Sequence, residues 1–106
     1  MAWVILLVAG LFEVVWAFSM KQSEGFSRLW PSVVTLVAMA ISLAGLAWAM
    51  RTLPLGTAYT VWTGIGAVGA FVVGITVLGE DMSAMRILAA VLIVSGLVLM
   101  KVSSGA

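Results

Sequence analysis

Residues 2–20 read AWVILLVAGLFEVVWAFSM, an almost wholly apolar run broken by a single carboxylate, Glu13. As a helix rising about 1.5 Å per residue, the run is about as long as the roughly 30 Å hydrocarbon core of a bilayer is thick, and Glu13 lies about 15 Å along it. An ionisable group at that depth costs on the order of 3 kcal/mol on insertion scales. No Lys or Arg stands near Glu13 along the helix, and the chain has no histidine. Something must offset the cost of this carboxylate, and in membrane proteins that is usually a transport pathway or a bound ion.

The rest of the chain repeats the pattern without the carboxylate. The sequence of 106 residues is 64% hydrophobic and 8% charged, too little charge for the surface of a soluble domain of this size. Further apolar runs extend over about residues 29–50, 54–79 and 83–102. The reading is therefore an all-α membrane protein, one transmembrane domain over 1–106 with four spans. The first run is expected to be a retained helix and not a signal peptide, because it lacks a basic leading segment and carries Glu13 inside the apolar stretch.

The punctuation between runs fits helix ends. Lys21 closes span one, where a cation suits the helix dipole. Ser27 is expected to cap span two, with Pro31 in its first turn. The short connector Arg51-Thr-Leu-Pro54 makes spans two and three antiparallel neighbours. Gly79 suits a helix C-terminus, and Asp81 is expected to cap span four. Glu24, Glu80 and Asp81 read as solvated loop carboxylates, and Arg86 and Lys101 as span-end cations that snorkel. Trp3, Trp30 and Trp48 lie toward span ends, where tryptophan belts form.

Four spans place Arg51 and Lys101 on one side, and Lys21, Arg28 and Arg86 on the other. That is almost no bias under the positive-inside rule. Insertion in both orientations followed by antiparallel pairing would give two copies the inverted symmetry that larger transporters encode within one chain. A single fixed orientation is the alternative.

Glu13 shares its helix face with Leu6, Ala9, Gly10, Trp16, Ala17 and Met20. The small residues there let another helix approach closely. Span two offers Ser42 at mid-depth, although a lone serine often bonds to its own helix backbone. Span three offers Tyr59 and Trp62, with Thr63 beside them. A carboxylate, aromatic faces and hydroxyl or indole groups together describe a small cation site. A proton and a cation would compete there for one negative charge, which is the minimum chemistry of an antiporter. Glycines Gly64, Gly66, Gly69 and Gly74 in span three read as a helix-packing surface and a bend. The absence of cysteine and histidine removes the commonest metal ligands and the commonest general base, and no acid–base pair or activated nucleophile suggests an enzyme.

These residues carry a resemblance. Glu13 in span one, Ser23-Glu-Gly-Phe-Ser-Arg-Leu-Trp-Pro-Ser32, and Pro54-Leu-Gly-Thr-Ala-Tyr-Thr-Val-Trp-Thr-Gly-Ile-Gly66 together resemble the small multidrug resistance transporters, over essentially the whole chain. Glu13-Val-Val-Trp16-Ala is similar to the guanidinium-exporter subtype, since the polyaromatic-drug exporters tend to carry a small residue where Trp16 stands. The resemblance implies an antiparallel, dual-topology homodimer in a bacterial inner membrane, exchanging protons for guanidinium by alternating access and needing no cofactor or metal. It makes Glu13 the shared proton and substrate site, with Trp16, Ser42, Tyr59 and Trp62 around it. Gly10 matches a close-packed position beside the glutamate, Gly64 and Gly66 match a bend, and Gly96 and Leu99 lie on the dimer-forming helix. Thr60 departs from the alanine expected at its position.

Guanidinium is planar and weakly hydrated, and its N–H groups suit a carboxylate fork and an aromatic slot. A quaternary-ammonium exporter remains open, because a small pocket also takes compact ammonium ions. A small dual-topology ion channel is a further alternative, although it would need a hydrated path past bulky aromatics.

Overall fold

Each apolar run is continuous around its circumference, which suits a helix surrounded by lipid and by other helices. A computed structural model describes residues 1–103 and contains four helices: α1 (Ala2–Gln22), α2 (Leu29–Ala49), α3 (Leu55–Thr76) and α4 (Ala84–Ser103). All four are long and apolar enough to cross a membrane.

α1 is the central element and packs against both α2 and α3, whereas the backbone of α4 comes close to α3 alone among the described helices. The buried cluster comprises Leu6 and Ala9 of α1, Leu46 and Ala49 of α2, and Ala58, Val61 and Trp62 of α3. Four of these seven residues are alanine or valine, as expected where close approach of backbones, more than expulsion of water, holds helices together in lipid. A Cβ added to Gly45 of α2 would stand 3.0 Å from the Ala9 Cβ, and one added to Gly10 of α1 would stand 2.6 Å from Ile65 Cγ2. Gly64 of α3 meets Leu97 in the same way and so admits α4. No residue of α4 is buried. At the membrane edge Lys101 Nζ lies 4.7 Å from the Trp3 ring centroid, tying the end of α4 to the start of α1.

The connections correct two of the expected caps. Ser27 does not cap α2: its hydroxyl donates to the carbonyls of Glu24 (2.9 Å) and Ser23 (3.2 Å), and the extended residue Arg28 occupies the N-cap. The loop is organised by Ser23, fully buried, whose Oγ donates to Met20 O at 2.6 Å and accepts the Phe26 N–H at 3.0 Å. Three consecutive residues, Glu24, Gly25 and Phe26, have positive φ, and this turn buries Ser23 and folds the exposed Ser27 back onto the carbonyls before it instead of presenting it to α2. Pro31 does lie in the first turn of α2.

Between α3 and α4 the chain reverses at Gly79, whose φ of 70° lies where a side chain would be strained. Ser83 caps α4 in place of Asp81, its Oγ accepting the Arg86 N–H at 3.2 Å. Glu80 and Arg86 are not merely solvated. The Arg86 guanidinium donates to Asp81 O at 2.8 Å, approaches Glu80 Oε1 at 3.9 Å, and lies 5.2 Å from the Phe71 ring centroid. The Glu80 carboxylate in turn lies against Gly74, whose carbonyl accepts the Glu80 N–H at 2.9 Å. This clasp fixes the elbow from which α4 leaves α3.

Candidate functional site

Four acidic residues occur in the chain, and Glu13 alone lies within a helix. The register of α1 turns it toward α3, where the backbone of Gly66 receives it. A Cβ built on Gly66 would overlap the Glu13 carboxylate and stand 2.8 Å from its Cγ. Glu13 is half-buried, and its Oε1 is enclosed with no hydrogen-bond partner among the described residues. The indole Nε1 of Trp16, one turn further along α1, is enclosed without a partner in the same way. Two polar atoms on one helix face are thus shielded from water and left unsatisfied, an arrangement that costs free energy unless a ligand or proton completes it.

Ser42 is fully buried, and its hydroxyl crosses from α2 to α1, donating to Ala9 O at 2.6 Å. The same oxygen accepts the indole N–H of Trp62 at 2.9 Å. In an α-helix the carbonyl of Ala9 also receives the N–H of Glu13, four residues on. A relay therefore runs from Trp62 of α3 through Ser42 of α2 to the turn of α1 that carries Glu13. It binds all three helices at the depth of the carboxylate.

Tyr59 packs its ring on Trp62, with centroids 5.7 Å apart and planes inclined at 43°. It also lines an open groove of about 490 Å³ between α3 and α4, together with Thr63, Gly96, Leu97 and Met100. A second groove of about 440 Å³ runs between Trp3, Ile65, Leu97 and Lys101. Glu13 and Trp16 line neither. The fold thus brings Ser42, Trp62 and Tyr59 into one chain of contacts attached to the Glu13 turn, while Trp16 stands on the α1 face itself. Gly96 has open space where its side chain would be, and Leu99 is exposed on α4.

Two contributors are not chosen by residue type. The Ala9 carbonyl carries no side-chain signal, and only its place one turn before Glu13 could have marked it. Gly66 is expected from the sequence as a packing and bend position, and its place opposite Glu13 could have been found by pairing the small positions of α3 with the bulky ones of α1.

A family model described as Small Multidrug Resistance protein matches residues 1–93. The chain belongs to the small multidrug resistance family. Among its relatives, a protein named "Guanidinium exporter" from Citrobacter freundii is 58% identical over 104 residues, covering 98% of this chain and 99% of the relative. Proteins of the same name from Salmonella typhi and Escherichia coli O6:H1 are each 59% identical over the same length and coverage. This small multidrug resistance protein, with four membrane-length helices and bacterial relatives, is an integral protein of the bacterial inner membrane.

Proposed function

We propose that this protein is a proton-coupled antiporter that exports guanidinium by alternating access, working as an antiparallel, dual-topology homodimer. The observation that carries the proposal is Glu13, the one helix-borne carboxylate, half-buried with an unsatisfied oxygen beside the Trp62–Ser42–Ala9 relay. The full-length similarity to proteins named guanidinium exporters supports the choice of substrate. Glu13 holds a proton or a guanidinium, one excluding the other. Trp16, Tyr59 and Trp62 supply flat faces for a planar cation, and Ser42 fixes the geometry between helices. Gly10, Gly64 and Gly66 let the helices approach and bend.

Pairing through α4, around Gly96 and Leu99, explains a helix with no buried residue whose backbone packs closely on α3 alone among the described helices. An antiparallel partner also suits the near-even division of basic residues between the two membrane faces.

The test is uptake of labelled guanidinium into proteoliposomes with and without an imposed pH gradient. Wild-type protein should concentrate guanidinium in response to the gradient, and Glu13→Gln should show neither gradient-driven uptake nor guanidinium binding. Gradient-driven turnover by Glu13→Gln would remove Glu13 from the mechanism.

A further inference from the structure

The facing sides of α1 and α3 fill one another's gaps. Ile65 of α3 sits over Gly10, Glu13 of α1 over Gly66, and Val14 of α1 over Gly69. The outer two pairs are apolar contacts of the kind that any closely packed helix pair makes. The middle pair is different, because an ionisable side chain fills the gap. Its carboxylate lies where the Cβ of any other residue would be.

No left-handed backbone conformation requires the glycine at position 66. α3 is continuous from Leu55 to Thr76, and among the described residues the glycines with positive φ are Gly25 and Gly79. An interior helical glycine costs about 0.5–1 kcal/mol relative to alanine. What Gly66 supplies at that cost is empty volume, and the Glu13 carboxylate occupies it.

We propose that Gly66 is the positioning residue for Glu13, a seat that closes off one carboxylate oxygen against α3 and turns the rest of the group toward the open side of the site. The enclosure of Oε1 on a residue that is otherwise half-buried follows directly from this seating. A planar cation prefers to engage both oxygens of a carboxylate with parallel N–H groups. It meets the seated group through one oxygen only, so two-pronged engagement requires the carboxylate to leave the seat. Gly66 thereby sets the starting position from which the cation draws Glu13. The transport part of this inference rests on the function proposed above, whereas the seat itself does not.

The test separates clearance from general packing. Gly66→Ala and Gly69→Ala are each placed in wild-type, Glu13→Gln and Glu13→Ala backgrounds, and melting temperatures are measured in detergent at one protein concentration. Gly66→Ala should lower the melting temperature by about 5 °C or more where Glu or Gln stands at position 13, and much less where Ala does. Gly69→Ala, which meets Val14, should cost the same in all three. If Gly66→Ala does not fold with Glu13 present, folding of the Glu13→Ala/Gly66→Ala protein is the same result in stronger form. Failure of both, or an equal loss in every background, overturns the seat.

In proteoliposomes Gly66→Ala should lose about tenfold or more of guanidinium uptake. Measured against Glu13→Asp alone, Glu13→Asp/Gly66→Ala should lose a much smaller factor, because the shorter acid removes the closest overlap and leaves only the 2.8 Å approach at Cγ. An equal factor lost in both backgrounds would show that the glycine acts only on packing, against the proposal. Absence of guanidinium uptake by the wild type, with the stability pattern intact, would overturn the substrate and leave the seat standing.

Discussion

Replacing Ser42 with alanine tests whether the relay is a joint structure or two unrelated contacts. Ser42 Oγ makes two hydrogen bonds, donating to Ala9 O at 2.6 Å and accepting from Trp62 Nε1 at 2.9 Å. The Ala9 carbonyl keeps its helical partner when the serine is removed, so that loss is small, near the average of about 0.6 kcal/mol for side-chain hydrogen bonds between membrane helices. Trp62 is buried, and its N–H would be left with no partner, which costs about 1–3 kcal/mol. Ser42→Ala should therefore destabilise the protein by about 2 kcal/mol. Trp62→Phe removes the donor itself and leaves Ser42 on Ala9, so its hydrogen-bonding cost is smaller, although it also loses ring area. The double variant has no orphaned N–H. It should be only slightly less stable than Trp62→Phe alone, giving a coupling of about 1 kcal/mol or more. Denaturant unfolding in mixed micelles at constant protein concentration gives all four values. Additive single effects would refute the relay, as would a Ser42→Ala protein as stable as wild type.

Other consequences are open to measurement. Trp16→Gly removes a large ring one turn from Glu13 and should admit bulkier quaternary ammonium ions, while weakening discrimination in favour of guanidinium; unchanged selectivity in competition uptake assays would count against Trp16 as the size filter. Arg86→Ala opens the α3–α4 clasp, and because that ion pair is substantially exposed its cost to global stability should stay below about 1 kcal/mol. The larger effect should be local, with faster amide exchange across residues 79–86 that is reproduced in wild type by high salt. Exchange that is unaltered in both would show that the guanidinium does not hold the elbow.

The four helices are legible from the sequence because a membrane imposes length and apolarity on each span, and neither property depends on the partner a side chain finds. Glu13 is legible for a related reason: its burial cost is set by depth alone. Caps are less legible. Ser27 and Asp81 have the right chemistry in the right places, but Ser23 draws Ser27 into the preceding turn and Ser83 stands nearer the first free N–H of α4. Ser42 shows a further limit. Its type and depth are plain from the sequence, whereas its choice of the Ala9 carbonyl over its own helix depends on how near α1 and α2 come. Glu80 and Arg86 look like separate surface charges until the turn at Gly79 folds them together. Distances between helices decide these matters, and they arise from many small residues acting jointly.

The three fillings between α1 and α3 also constrain how the protein can move. Each helix contributes both teeth and notches, Ile65 entering at Gly10 while Glu13 and Val14 enter at Gly66 and Gly69. Axial sliding of one helix along the other would lift all three out together and press branched side chains onto backbone. Rocking the pair as one body leaves every tooth engaged. The interface works as a keyway, and it channels motion between the two membrane faces into tilt, with no change of helix register.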